Sequence, residues 1–184
     1  MKKGKTIGLA NKECIISLGN NLIHLAKKYK TKLVPLDSEH NSIYHLLSMD
    51  DKIKNDYSSI TITASGGPFL DLEYSKFRNI TVKQALKHPI WKMGKKITIN
   101  SSTMMNKALE IIEAKYLFNI ESKKIKAVVH PQSIIHALIN YKNGASKALL
   151  YLPDMRIPIS SLFFDFNSFL KNQRDLTITD LSNL

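Results

Sequence analysis

Short apolar runs and amphipathic stretches alternate along the first half of the chain. "KTIGLA" (5–10) has the length and content of a short buried strand, and "ECIISLGNNLIHLAKKYK" (13–30) places Ile15, Ile16, Leu22, Ile23 and Leu25 at helical spacing. "KLVPLD" (32–37) predicts a strand that ends on polar residues, and "SEHNSIYHLLSM" (38–49) returns to a helical pattern. A strand, helix, strand, helix rhythm implies crossover connections and α/β packing. "SSITITA" (58–64) predicts a third strand, stopped by "SGGPF" (65–69), whose paired glycines before proline mark a turn.

Farther along, "TVKQALKH" (81–88) predicts a short helix, "PIWKMGKK" (89–96) a loop, and "KITIN" (96–100) a strand that feeds a long amphipathic helix. "KIKAVVH" (124–130) and "IIHALINYKNGASKALLYL" (134–152) predict further strands, with "KNG" as a hairpin turn. "PDMRIPISSLFFDF" (153–166) predicts a terminal helix with proline in its first turn. Residues 167–184 are apolar enough to pack but carry no motif, and no internal repeat or low-complexity tract occurs.

Composition narrows the class. A chain of 184 residues with 43% hydrophobic and 23% charged residues can bury one core. No stretch of about 18 apolar residues exists, and the start "MKKGKTIGLANKE" turns polar too early for a signal peptide, so a cytoplasmic protein is expected. Cys14 is the only cysteine; it excludes a disulfide framework within the chain and is expected in the core. The formal charge of +12 invites a nucleic-acid partner, but arginine occurs only at positions 78, 156 and 174 and the lysines are scattered. A local site for a small phosphorylated anion is the more economical use of a few of them.

The polar positions carry the chemistry. Asp37 and Glu39 lie two apart at a strand end, so in extended backbone both carboxylates face one side and suit a hard cation; Ser38 and Glu39 equally suit a solvated helix start. In "INSSTMMNKALEIIEAKYLF" (99–118), Asn106, Lys107 and Glu110 fall on adjacent parts of one helical face. Glu110 could complete an oxygen set with Asp37 and Glu39, or pair with Lys107 at the surface. Ser101 and Ser102 are expected to open that helix, as a cap or as an anion site at its N-terminus. Ser65 before Gly66 and Gly67 suits a loop that cradles an oxyanion or a plain turn. Trp91 and Met93 suit a hydrophobic lid or a packed loop, with His88 at its edge as a donor. His130 and His136 are expected to be structural.

Taken together, "LANKE", "LDSEHNSI", "TASGGPF", "HPIWKMGKKI", "STMMNKALE", "HPQSIIHALI" and "PDMRIPI" resemble, in order and spacing, the 1-deoxy-D-xylulose 5-phosphate reductoisomerase family over roughly residues 4–160. The resemblance implies an α/β (α+β) catalytic domain with a mixed β-sheet and flanking helices. It implies NADPH-dependent conversion of 1-deoxy-D-xylulose 5-phosphate to 2-C-methyl-D-erythritol 4-phosphate, with Mn²⁺ or Mg²⁺, and Co²⁺ as a further candidate. Asp37, Glu39 and Glu110 then look like metal carboxylates. Lys12, Ser38, Ser65, His88, Ser101, Asn106 and Lys107 look like substrate contacts, with Ser65, Ser101, Asn106 and Lys107 toward the phosphate. Trp91 and Met93 match the family's flap, and Asn11, Glu13 and Gly94 match positions that touch the nicotinamide cofactor.

The sequence departs from the family at Asn100 and Ser102, which stand where aspartate and alanine are common, and at Ala108, which replaces a glycine. No G-x-G-x-x-G occurs. The resemblance therefore divides the chain into residues 1–13 as the end of a dinucleotide-binding domain, 14–166 as the catalytic domain, and 167–184 as a linker or the start of a C-terminal domain. Expected partners are the sugar phosphate, a second copy of the chain in a homodimer, and a separate dinucleotide-binding chain; neither a membrane nor nucleic acid is expected. The competing expectations are a non-enzymatic remnant that binds polyanions, and an isomerase that acts without reduction.

Overall fold

A computed structural model describes residues 3–49, 56–91, 93–163 and 175–181. A parallel pair forms first: β1 (Thr6–Leu9) and β2 (Lys32–Pro35) run in register from Thr6 opposite Lys32 to Leu9 opposite Pro35. The crossover between them is helical, as parallel pairing requires. It is two helices rather than one, α1 (Lys12–Leu18) and α2 (Asn20–Lys28), because Gly19 at φ +49° takes a conformation that ends the first and starts the second. Cys14 is exposed on α1 rather than in the core, since Lys12 and Ile15 occupy its buried face.

α3 (Ser38–Ser48) leads to β3 (Tyr57–Ala64), the centre of a four-stranded mixed sheet. β3 pairs in parallel with β4 (Ile125–Val129) and antiparallel with β5 (Ile135–Tyr141), which pairs antiparallel with β6 (Ser146–Leu150). The β5–β6 connection is the expected hairpin. Gly144 at φ +87° supplies its left-handed position, and the Gly144 N–H donates to the Tyr141 carbonyl at 3.1 Å.

Between β3 and β4 lie α4 (Val82–Ala85), α5 (Lys95–Ser102) and α6 (Met105–Phe118). α4 is shorter than its pattern suggested, although Thr81 and Gln84 close a full capping box. The segment expected as the strand "KITIN" is instead most of α5. Its β-branched residues suit a strand, but Gly94 opens a helix there, and the Thr98 hydroxyl donates to the Gly94 carbonyl at 3.0 Å. Ser101 and Ser102 consequently end α5 instead of beginning α6. The terminal helix expected over 153–166 is shorter: α7 is Arg156–Ser160, with Pro158 in its first turn, the flanking residues 153–155 and 161–163 are not helical, and residues 164–166 lie outside the described residues. In the tail only α8 (Ile178–Leu181) is a described element.

The core fills the space between one sheet face and two helices. Ile60 and Ile62 of β3 and Ala137, Ile139 and Tyr141 of β5 alternate inward at the strand period, and Ile43 and Leu46 of α3 and Ala114 of α6 close over them. Ile62 is fully buried, so Ile62→Ala should cost about 2–5 kcal/mol. Val128 on edge strand β4 is 48% exposed, and Val128→Ala should stay within about 0.5 kcal/mol. Urea unfolding of both variants checks the pair; equal losses would place the core elsewhere.

Candidate active site

Three segments converge above the core. Asp37 stands at the junction of β2 and α3 with φ −62° and ψ 132°, and its carboxylate turns toward Lys12 of α1 rather than toward the amides of its own helix. Glu39 follows in the first turn of α3. A strand-to-helix turn, rather than an extended strand, therefore brings these two carboxylates together. α6 starts where it does because Met104 takes a left-handed conformation (φ 60°, ψ 3°) and separates it from α5. Along α6, Lys107, Glu110, Ala114 and Phe118 follow the 3-4-4 spacing of one face. Its front half is charged and its rear half packs on the sheet.

Lys107 and Glu110 are 5% and 1% exposed, so their pairing is a buried one and not the surface ion pair that the spacing also allowed. Oxygen atoms of Asp37, Glu39 and Glu110 lie within 4.8 Å of one another. Two ammonium groups divide the charge. Lys12 Nζ reaches Asp37 Oδ2 at 2.6 Å, Glu110 Oε1 at 3.1 Å and Asn106 Oδ1 at 2.8 Å. Lys107 Nζ reaches Glu39 Oε1 at 2.7 Å and also contacts Glu110 Oε2. The Asn106 amide donates to Glu110 as well. Three hard carboxylates this close, two from the start of α3 and one from α6, and open to a cavity, fit a Mg²⁺-type or Mn²⁺-type cation.

Electrostatics separates the three acids. Burial alone would raise Asp37, but the Lys12 ammonium and then His40 outweigh it and hold the carboxyl well below its usual range. Burial, followed by the Glu39 charge, pushes Glu110 up to about 7 against the pull of Lys107. Burial would lower Lys12 and Lys107, yet their carboxylate neighbours prevail and raise both. Burial likewise opposes charge on His40, and Glu113 with Asp37 overcomes it, to about 9.

A second cluster lines the same cavity. His88 Nδ1 accepts the N–H groups of Ile90 (3.2 Å) and Trp91 (2.9 Å), which fixes the ring with its proton on Nε2. Nε2 lies 3.1 Å from both the Ser65 and Ser101 hydroxyls. Partial burial lowers the His88 pKa, consistent with a neutral ring. Gly67 (φ +71°) allows this approach, since a Cβ there would stand 3.0 Å from the Ser101 carbonyl oxygen.

Lys12, Asp37, Ser38, Glu39, Ser65, His88, Trp91, Met93, Gly94, Ser101, Asn106, Lys107 and Glu110 all line one cavity of about 270 Å³. The residues expected toward the phosphate divide: Ser65 and Ser101 join His88, whereas Asn106 and Lys107 join the carboxylates. Asn11 and Glu13 fall outside the lining; Asn11 precedes α1, and Glu13 pairs with Lys96 at the surface. Sequence reasoning missed Met104, Ser133 and Met155, which also line the cavity, and gave His136 only a structural role. His136 does bond the Tyr151 carbonyl at 3.1 Å and stacks on its ring at 3.9 Å, but it also faces the cavity. His130 Nε2 accepts the N–H groups of Ile134 and Ile135, a structural use that holds Ser133 at φ +52°. A non-glycine residue in that conformation leaves no trace in residue order.

Residues 33–118 match the profile of the 1-deoxy-D-xylulose 5-phosphate reductoisomerase C-terminal domain. The 1-deoxy-D-xylulose 5-phosphate reductoisomerase of Pelagibacter ubique is 52% identical over 100% of this chain and 47% of its own length. The enzyme of that name from Wolbachia pipientis subsp. Culex pipiens is 52% identical over 94% of this chain and 44% of its own. A crystal structure of the reductoisomerase with NADPH, fosmidomycin and magnesium superposes with a TM-score of 0.87 at 39% identity, covering 96% of this chain and 45% of that one. The Zymomonas mobilis enzyme with NADPH gives 0.85 at 39% identity, covering 97% and 45%. The chain thus spans less than half the length of these relatives.

The charged cluster sets a pH dependence for the metal-free chain. Glu110 and Glu113 rise from the usual 4.5 to about 7 on folding, and His40 rises from 6.5 to about 9. At these three groups the folded state therefore holds more protons than the unfolded state, and their share of stability falls as pH rises; the opposite pull of His45, which burial lowers to about 4, is spent once pH passes 6.5. The His40 share is complete below 6.5 and lost as pH passes 9. With chelator present, the thermal midpoint at pH 6 should exceed that at pH 9 by on the order of 5 °C. A midpoint that climbs over this range would contradict the charge arrangement.

Proposed function

Because this chain belongs to the 1-deoxy-D-xylulose 5-phosphate reductoisomerase family, we propose that it supplies the metal- and substrate-binding site for conversion of 1-deoxy-D-xylulose 5-phosphate to 2-C-methyl-D-erythritol 4-phosphate. The observation that carries this reading is the meeting of Asp37, Glu39 and Glu110 in a cavity that is also lined by the hydrogen-bonded cluster of Ser65, His88 and Ser101. The carboxylate cluster suits vicinal oxygens of a sugar, and the second cluster, with neutral hydrogen-bond donors, suits its phosphate.

Asp37, Glu39 and Glu110 would hold Mg²⁺ or Mn²⁺, which supplies a Lewis acid for the ketone and neighbouring hydroxyl. NADPH supplies the hydride, and Gly94, bare of neighbours within 4 Å of a Cβ position, leaves room for its close approach beside Asn11 and Glu13. Lys12 and Lys107 pair with the proposed metal carboxylates and line the cavity, so they would exchange a carboxylate for charge that develops on substrate oxygen. Ser38, whose carbonyl accepts the Tyr151 hydroxyl at 3.0 Å, lines the same cavity. The Ser65, Ser101 and His88 donors orient the phosphate, helped by Asn106 and Lys107 from the carboxylate cluster. Trp91 and Met93 line the same cavity, and as its cover they would exclude water from the reactive carbonyl. A homodimer and a cytoplasmic setting complete the reading.

Thermal unfolding with Mn²⁺ plus 1-deoxy-D-xylulose 5-phosphate tests it. At about 100 times the dissociation constant the ligand should stabilise by about 2.7 kcal/mol, which is roughly 5–10 °C for a chain of this size. Glu110→Ala should abolish the rise. A folded chain whose midpoint ignores both ligands would refute the site.

A further inference from the structure

Glu113 takes no part in the chemistry described above, yet it is 1% exposed and lies one turn beyond Glu110 on α6. Its Oε2 and the Nδ1 of His40 are both fully buried, 3.5 Å apart, and neither has a hydrogen-bond partner among the described residues. A buried ion pair that closes no hydrogen bond adds little net stability, and a well-packed apolar pair would fill the same space at no greater cost. Packing alone does not account for this residue.

His40 shows what the carboxylate faces. Its Nε2–H donates to the backbone carbonyl of Glu110 at 2.9 Å, and Nδ1 stands 3.9 Å from Asp37 Oδ1 on the side where Glu113 lies. Phe118 lies parallel to the ring at 6.3 Å and limits its tilt. One imidazole thus touches the main chain of one proposed metal ligand and faces the side chain of another, with Glu113 behind it. The carboxylate attracts the Nδ1 edge and sets the ring plane, and the ring sets the separation of α6 from the start of α3.

We propose that Glu113, acting through His40, is a positioning residue that holds Asp37 and Glu110 at the separation required for divalent cation binding. The inference rests on the reading of Asp37, Glu39 and Glu110 as the metal ligands. Carboxylates behind a histidine commonly set ligand geometry in this way, and their loss weakens metal affinity about 10- to 100-fold.

The test is Mn²⁺ titration of the 184-residue chain, followed by electron paramagnetic resonance, for wild type, Glu110→Gln, Glu113→Gln, His40→Asn and the Glu113→Gln/His40→Asn pair. Glu113→Gln should bind Mn²⁺ about 10- to 100-fold more weakly. Its metal-free thermal midpoint above pH 9, where the His40 charge is lost, should be equal to or above that of wild type, and the spectrum of its bound Mn²⁺ should change. His40→Asn should lose a similar factor, and the pair should lose no more than either alone, as residues acting in series do. A purely structural role predicts the reverse pattern, a lower midpoint with unchanged affinity in the folded fraction, and that result would overturn the proposal. So would failure of Glu113→Gln to fold, or two Mn²⁺ per wild-type chain falling to one in Glu113→Gln, which would make Glu113 a ligand. Wild type that binds no Mn²⁺ refutes the metal site as well. Binding lost in Glu110→Gln but kept in Glu113→Gln refutes this inference alone.

Discussion

Five charges enclosed by protein govern this structure: the carboxylates of Asp37, Glu39 and Glu110 and the ammonium groups of Lys12 and Lys107. Charges withdrawn from water are tolerated only in close mutual contact, and that demand fixes the elements that carry them. α1 must approach α6 so that Lys12 can reach Asn106 and Glu110, and α3 must begin where Asp37 and Glu39 meet the same pair. The apolar rear of α6 makes this possible. Ala114 packs with Ile60, Ile62 and Ile139 of the sheet, so ordinary burial anchors the helix whose front half bears the costly groups.

The positive charge of the chain takes on a different meaning in this setting. Two of the lysines are spent inside the site. Others lie along tyrosine rings, with Lys28 over Tyr29, Lys32 over Tyr44, Lys115 over Tyr116, Lys124 over Tyr57 and Lys147 over Tyr141. Their alkyl stems cover aromatic surface while the ammonium groups stay near the ring faces. Lysine used in this way serves packing and solubility, which removes the local argument for a dedicated polyanion surface.

Residue order revealed more of the site than of its support. A short-range pattern made Asp37, Glu39 and Glu110 candidates, beside a strand end and on a helix face, and the family resemblance singled them out as one set. The strands at 58–64 and 124–130 showed through their β-branched content. Ile97, Thr98 and Ile99 misled for the same reason, since local preference points to a strand and only the capping glycine and the neighbouring α6 favour a helix. The left-handed backbone at Met104 and Ser133, and the pairing of His40 with Glu113, depend on partners distant in sequence. Periodicity carries no record of them. Cys14 misled through its residue type, because which face of α1 is buried is decided by the ions that Lys12 meets.

Asp37 opens α3 without capping it. Aspartate at that position ordinarily satisfies an amide of the first turn and adds about 1 kcal/mol to the helix, a gain given up here when the carboxylate turns to Lys12. The most ordinary stabilising residue at a helix start has thus been diverted. Selection for a sturdier fold and selection for this site pull the same side chain in opposite directions, and its present orientation records which of them prevailed.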